Sequence, residues 1–508
     1  MRVALRRAFA ALLCLAALSG CAAPPESEEP PEPSWEDYLT PSPSGETQTA
    51  FSDFTLPCLD RQSFDPITCP DGVQQTVASL LYEGLFALDD RFEPQCVLCS
   101  DWSCDRAALT YTFTLREDAA FSDGSPLTAD DVLATYRRAA DSARFGARFG
   151  NIASMDSSGG RELTLTLRAW DASLPALLDV PIVKKGTEQR DAPLGTGPYV
   201  YEPDGPALLA STLWWQKLPL PVERFALLPV KDENAAAQAF TSGDAGLLSL
   251  DLTALSTIYA DVPADLTDAP STAMLYLGFN TSRAVFSDAA LRRAFGCAID
   301  REQLVRACFA SHARSAQFPL SPASPLYPTA LEQSCSPQDY EAAAATLLSD
   351  GSQELSLLVN EENVARVAAA EQLARWLSTD RLACTVLALP WEEYCAALEA
   401  GEFDLYLAEA RLPANWDCGA LLHADGALNF GAYFSVLTER ALAAFLADPS
   451  DATVRDLCER LRDEAPFVPL AFKNVTVLRR QGLTDEIAPT ASAPFAGLSR
   501  WTVHLIEE

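Results

Sequence analysis

Histidine is scarce in this chain: His312, His423 and His504 are the only three among 508 residues. None stands in the His-x-x-x-His spacing of a helix-borne zinc pair, which argues against a histidine-built metal centre. Positive charge is short as well. Lys and Arg number 37 against 70 Asp and Glu, for a formal net charge of −33. Such a body is a poor partner for nucleic acid, whose phosphates call for cations. The chain lacks a Gly-x-Ser-x-Gly elbow. Paired carboxylates abound in any protein this acidic and so mark no glycosidase site. Beyond the N-terminus no long uninterrupted apolar run occurs, so no transmembrane helix is expected. No repeat of fixed period is evident. These absences point away from an enzyme, a metal- or cofactor-dependent protein and a nucleic-acid binder.

What is present begins at the N-terminus. Arg2, Arg6 and Arg7 precede an apolar stretch, Ala8 to Leu18, that is too short to span a bilayer. Leu18-Ser19-Gly20-Cys21 follows. This order resembles the lipobox of bacterial lipoproteins, which implies removal of residues 1–20 as a signal peptide and lipid attachment at Cys21. The alternative is an ordinary secretory signal with an incidental cysteine. Residues 21–44 are rich in Pro and Glu, with almost nothing apolar to bury, and are expected to be an extended, disordered tether. The whole chain is 48% hydrophobic, and the part beyond the tether is long enough for two or three domains. Fourteen cysteines occur; setting aside Cys14 and Cys21 leaves twelve, an even number compatible with disulfides in an exported protein. Cys96, Cys99 and Cys104 form half of a metal pattern with no fourth ligand nearby, so disulfides or buried thiols are the expectation.

Strand and helix signals alternate along the body. Leu109 to Leu115 alternates apolar residues with threonine, as a half-buried strand does, and Leu163 to Leu167 repeats the pattern. Between them Asp123-Gly124 marks a turn. Thr128 with Asp131 predicts a capping box ahead of the buried stripe Val132, Leu133, Tyr136. Asp288 starts a helix with Leu291 and Phe295 on one face, and Asp300 with Gln303 predicts a second capping box. From Tyr340 onward helices are expected near 364–377, 391–400, 436–446 and 453–464, with strands at 355–359, 385–389 and 403–407. Such alternation predicts a mainly parallel sheet faced by helices.

Several segments, taken in order, resemble the peptide/nickel-type solute-binding proteins of ABC importers, family 5. They are Leu80-Leu-Tyr-Glu-Gly-Leu-Phe86, Leu109 to Arg116 followed by Phe121 and Leu127-Thr-Ala-Asp-Asp-Val132, Gly195-Thr-Gly-Pro-Tyr199, Gly278-Phe-Asn280 through Ala298-Ile-Asp-Arg301, Gly401-Glu-Phe-Asp-Leu405, and Ala465-Pro-Phe-Val-Pro-Leu470. The resemblance implies an α/β fold of the type II periplasmic-binding-protein kind, with two lobes and a hinge. Lobe I would take 45–271 plus 474–508, with an inserted subdomain about 87–190, and lobe II 272–473. It further implies a monomer, anchored at the cell surface or envelope, that delivers oligopeptides or a similar small polar solute to ABC permease subunits. A sensory role toward another membrane partner, and a non-peptide ligand such as a metal chelate or an oligosaccharide, remain alternatives; a surface hydrolase ranks last.

Peptide binders of this family hold the ligand amine with an aspartate shortly before an acidic-Pro pair. The similar stretch here is Arg411-Leu-Pro-Ala-Asn-Trp-Asp-Cys418. Asp417 matches the acidic member and Cys418 replaces the proline, so the amine-holding position falls at Ala414 or Asn415. Asp417 either substitutes as the ammonium partner or caps the following helix. Arg411 suits a ligand carboxylate or a surface ion pair. Trp391, Trp416 and Tyr433, with Tyr394, are stacking candidates that compete with core roles. Of Trp214-Trp215, strand geometry would leave at most one facing the cleft, and Glu83 is expected on a solvated helical face.

Overall fold

The computed structural model describes residues 53–505 except 71, 203, 255–261, 334–336 and 349–351. The expected signal peptide, the lipid site Cys21 and the tether lie outside the described residues.

The first lobe is built from β1 (Phe54–Leu59), α1 (Val73–Ala78), β2 (Phe86–Leu88), β3 (Pro94–Cys96), β4 (Cys99–Asp105), β5 (Thr110–Leu115), α2 (Ala129–Ala140), α3 (Gly146–Phe149), β6 (Ile152–Gly159), β7 (Glu162–Leu167), β8 (Tyr199–Glu202), β9 (Ala207–Ala210), β10 (Arg224–Val230), α4 (Glu233–Ser242) and β11 (Leu247–Leu250). β1 runs parallel to β10 in a sheet of order β1-β10-β9-β8. An antiparallel sheet of order β4-β5-β7-β6 carries the first apolar alternation: Tyr111, Phe113 and Leu115 of β5 are buried while the intervening threonines are half-buried. α2 covers this sheet through Val132, Leu133 and Tyr136, and its Thr128–Asp131 capping box is formed in both directions. The Gly195-Thr-Gly-Pro turn needs its glycines because the chain passes against Leu81. A Cβ on Gly195 would lie 2.1 Å from the Leu81 carbonyl oxygen, and one on Gly197 2.5 Å from its carbon.

The chain continues as β12 (Ala264–Phe279), α5 (Ala289–Ala298), α6 (Arg301–Phe309), β13 (Ala313–Ser315), α7 (Pro337–Leu347), β14 (Gln353–Asn360), α8 (Val364–Leu377), β15 (Leu382–Leu389), α9 (Trp391–Ala400), β16 (Leu405–Arg411), α10 (Gly419–Leu422), α11 (Val436–Ala447), α12 (Asp451–Glu464) and β17 (Phe467–Arg480), with the second lobe between β12 and β17. Asp288 caps α5 by accepting the Ala290 N–H at 2.8 Å. Asp300 caps α6 through the Gln303 N–H at 2.8 Å, which is one half of the expected box. α9 stops where Gly401 turns left-handed, at φ 69°.

The sheet order is β11-β17-β12-β16-β14-β15, with β13 also on β17. Here the expectation of a mainly parallel sheet is corrected. Only β14, β15 and β16 run parallel, joined by crossovers through α8 and α9. β12 and β17 are antiparallel to each other, and β12 to β16. The reason is topological: β12 enters the second lobe and β17 leaves it, so the two lie side by side in opposite senses. Alternation along β12, β14 and β16 then separates two cores. Leu275, Leu277, Leu357, Leu405 and Leu407 face α5–α8. Met274, Tyr276, Leu358, Tyr406 and Ala408 face α9–α12.

β12 and β17 are the two connections between the lobes. Their pairing is broken by a register shift between Pro270 and Met274. At that break the Ser271 hydroxyl donates to the Lys473 carbonyl at 2.6 Å and accepts the Ala273 N–H at 3.1 Å. A bulge of this kind bends a ribbon and concentrates its twist, which makes this stretch the natural hinge.

Candidate interlobe binding site

The three parallel strands end together, at Asn360, Leu389 and Arg411. In α/β sheets the carboxyl edge is where ligands collect. Glu409 and Arg411 continue the face of Leu405 and Leu407, but beyond the core, where the lobes meet. The Glu409 carboxylate accepts from Lys473 Nζ at 2.7 Å and from Arg366 Nη2 at 3.0 Å. Arg366 also donates to Asn360 Oδ1 at 2.7 Å. Lys473, only 4% exposed, reaches Asp251 as well, just past β11 in the first lobe. One ionic chain therefore runs from the first lobe, across the hinge strand, into the second. Burial pushes the Glu409 carboxyl up, but Lys473, Arg366 and Arg411 outweigh it and hold it below the ordinary carboxylate value. Glu362 accepts the Trp391 N–H at 2.8 Å. That is the backbone N–H at the start of α9; the Trp391 indole itself is 55% exposed and stacks at 5.8 Å on buried Tyr394. Arg411 is exposed.

The loop after β16 meets the first lobe on the opposite face of the sheet. Asn415, 5% exposed, donates through Nδ2 to Asp171 Oδ2 at 2.8 Å. Asp171 Oδ1 takes the Ser173 N–H at 2.8 Å, and the Ala172 N–H donates to the Leu446 carbonyl at 2.9 Å. Trp416, left-handed at φ 62°, packs edge-on against Phe92 of the first lobe at 5.1 Å and against Phe472 at 6.0 Å. No basic side chain pairs with Asp171 among the described residues. Burial pushes the Asp171 carboxyl up, the nearby Asp417 charge adds to that, and the bonds from Ser173 and Asn415 offset it in part. Asp417 accepts the Gly419 N–H at 2.8 Å, at the start of α10. Tyr433 is buried, and its hydroxyl is engaged by Thr438 at 2.9 Å and Glu464 at 2.6 Å.

The six expected residues thus divide. Trp391 and Arg411 belong to the carboxyl edge and are open to solvent. Asn415 and Trp416 lie on the other side of the hinge and are engaged across the interface. Asp417 is turned to its own helix, and Tyr433 to the second-lobe core. Sequence reasoning missed Asp251, Glu409, Arg366 and Lys473, and it missed Asp171 and Phe92. Lys473 carried a signal: it is a cation inside the apolar run of β17.

Glu83 is a correction. It is not helical, and it is half-buried instead of lying on a solvated face. Its carboxylate accepts from Trp215 Nε1 at 2.7 Å, Gln216 Nε2 at 2.9 Å and Trp214 Nε1 at 3.4 Å. Burial raises it to about 6 against those bonds. The two tryptophans converge on one acid because the segment turns instead of running as a strand. Among the described residues no group of three or more His, Cys, Asp and Glu is placed to hold a metal ion, and no helix is long and apolar enough to cross a membrane.

Comparison with known proteins agrees with this geometry. The chain is similar to the glutathione-binding protein GsiB of Escherichia coli strain K12, 27% identical over 300 residues; the match covers 56% of this chain and 58% of that protein. Among solved structures it resembles the oligopeptide-binding protein AppA of Bacillus subtilis in complex with a nonapeptide. That likeness has a TM-score of 0.65 at 17% identity, over 89% of this chain and 99% of that one. It also resembles NikZ of Campylobacter jejuni in complex with Ni(L-His), with a TM-score of 0.66 at 19% identity, over 88% and 99%. The model of the bacterial extracellular solute-binding proteins, family 5, matches residues 93–423. With well over half of its length matched, the chain belongs to that family of extracellular solute-binding proteins.

Proposed function

We propose that this protein encloses a small polar solute, an oligopeptide in the first instance, between its lobes and delivers it to an ABC importer. The observation that carries this is the interlobe edge, which we read as one wall of a crevice: two lobes joined by two strands, with charged groups and an open indole face gathered where the parallel strands end. Hinge closure then decides whether the ligand is exposed or enclosed. The relatives' names support a peptide-like cargo: glutathione for GsiB, a nonapeptide for AppA. We take the lobes as 45–271 with 474–508 (subdomain about 87–190) and 272–473; the register break after Pro270 supports that border. Arg411 is assigned to a ligand carboxylate and Trp391 to stacking. Asn415 and Trp416 form the wall that meets the first lobe, with Asp417 and Tyr433 behind them in the second. Lipidation at Cys21 would hold the protein, as a monomer, at the membrane bearing the permease. No chemistry on the ligand is proposed.

Titrating the mature protein with di- to nonapeptides, read by melting temperature and tryptophan fluorescence, tests this. A peptide at a hundred times its Kd stabilises by about 2.7 kcal/mol. A second reading, a metal chelate or oligosaccharide, is favoured by one feature: Ala414 and Asn415 stand where the family's amine-holding aspartate is expected. Peptides that leave both signals unmoved while nickel–histidine or an oligosaccharide shifts them would reassign the cargo. Absence of neighbouring genes for a permease and two ATPases would favour the sensory role.

A further inference from the structure

The clustered cysteines take no part in the crevice. Cys96 ends β3 and Cys99 opens β4, with a two-residue bend between them. The N–H groups of Val97 and Cys99 both donate to the Leu85 carbonyl, at 3.0 and 3.2 Å. Sharing one acceptor folds the bend tightly and sets the two cysteines at its two ends; the Cys99 thiol donates to the Asp101 carbonyl at 3.2 Å. Both are free; Cys96 is exposed and Cys99 fully buried. Cys104, also free and exposed, closes the same strand opposite Tyr111.

We propose that Cys96 and Cys99 form a reversible redox site, which closes to a disulfide by exchange with a low-molecular-weight disulfide outside the cell. Cys96, as the solvent-facing thiol, releases its proton and attacks one sulfur of the small disulfide. A mixed disulfide forms and one small thiolate leaves, taking up a proton. The Cys99 thiol then gives up its proton and attacks the Cys96 sulfur. The second small thiolate departs and is protonated in turn. Two protein thiols are thereby oxidised to one disulfide, and one small disulfide is reduced to two thiols. Burial, which pushes the Cys99 thiol up to about 12, keeps it protonated and in reserve until the mixed disulfide is beside it. The ring closed is too short to remove much chain entropy, so the bond serves poorly as a structural staple. Exposed disulfides are the ones that exchange readily. The site lies at the base of the β2–β3 hairpin, whose turn carries Phe92 against Trp416 of the other lobe.

The test uses the mature protein, reduced, freed of reductant, treated with cystine, then alkylated and mapped by mass spectrometry. Cys96 and Cys99 are expected to escape alkylation together, their peptide lighter by two hydrogens, and dithiothreitol restores both thiols. Cys99→Ser should stop at a stable cystine adduct on Cys96. Cys96→Ser should leave Cys99 reduced, and Cys104→Ser should change nothing. Full alkylation of both thiols in the cystine-treated wild-type protein, or a bond from Cys96 to Cys104, overturns the proposal. Circular dichroism checks that the variants fold; the wild-type map decides the matter even where one does not.

Discussion

The two sides of the hinge hold the lobes together by different chemistry. On the carboxyl-edge side the link is ionic: Asp251, Lys473, Glu409 and Arg366 alternate in sign across the lobes. On the side of the loop after β16 the link is Asn415 on the Asp171 carboxylate and one backbone bond from Ala172 to Leu446, beside an aromatic edge contact. A buried ionic chain tolerates no missing member, since removing one leaves its partners charged and unpaired. An amide–carboxylate bond with an aromatic contact can separate and let water in. The first arrangement fixes where the hinge lies, and the second can open.

The sharpest way to break this contrast is Lys473→Met. It leaves Asp251 without its partner and Glu409 with Arg366 alone, at a half-buried site, and the expected loss is about 3–5 kcal/mol of unfolding free energy. Urea unfolding measures it. A loss below about 1 kcal/mol would mean that water already screens the chain and that the two sides are alike. Phe92→Ala probes the other side. Truncating a buried phenylalanine in a core costs about 3–5 kcal/mol, but here the ring bridges two separately packed lobes. We expect the cost to appear as opening: a larger radius of gyration without ligand by small-angle scattering, and a smaller fall in unfolding stability than Lys473→Met gives. An unchanged radius would count against an opening role.

How much of this was legible beforehand depends on sequence distance. The alternation of Thr110–Leu115, the Thr128 box and the stop of α9 at Gly401 are encoded within a few residues, and they appear as expected. The sense of β12 against β17 is set by where the chain re-crosses the hinge, which no local period reports. Asn415 and Asp171 are 244 residues apart, so their meeting was invisible, as was the convergence of Trp214 and Trp215 on Glu83. Resemblance located the loop after β16, but not which of its side chains stay open to a ligand. That depends on what the first lobe places opposite each.

Acid should separate the two sides by sign. Glu409 is held below its ordinary value of 4.5, so its contribution is full above that value and is lost as pH falls through the lower, folded value. Asp171 is raised above its ordinary value of 3.8, so its contribution is full below that value and is lost as pH rises through the higher, folded value. Lowering pH toward 4 thus weakens the ionic side and relieves the other. Asp171→Asn removes the second titration. The variant's stability relative to wild type should therefore rise with pH across the weakly acidic range, as measured by urea unfolding. A flat difference would show that Asp171 ionises in the fold as it does in the unfolded chain.

The smallest effect on stability, and the most telling for ligand, is expected at Arg411. It ends β16 on the face of Glu409 but is exposed, unlike Lys473 and Arg366. Its charge helps to hold Glu409 ionised, yet Lys473 and Arg366 already do so through direct contacts. Arg411→Ala should therefore change unfolding free energy by no more than about 0.5 kcal/mol, as surface substitutions do. If Arg411 takes a ligand carboxylate, the same change removes a charge-assisted pair worth about 1.5–3 kcal/mol. That is roughly a ten- to hundredfold loss of affinity for a carboxylate-bearing peptide and little loss for its C-terminal amide. Arg411→Lys should recover only part of it, since an ammonium lacks the planar fork that a carboxylate matches. Calorimetry with the acid and amide forms of one peptide separates these outcomes. Equal losses for both forms would place Arg411 outside the contact and leave Trp391 as the remaining exposed candidate on that edge.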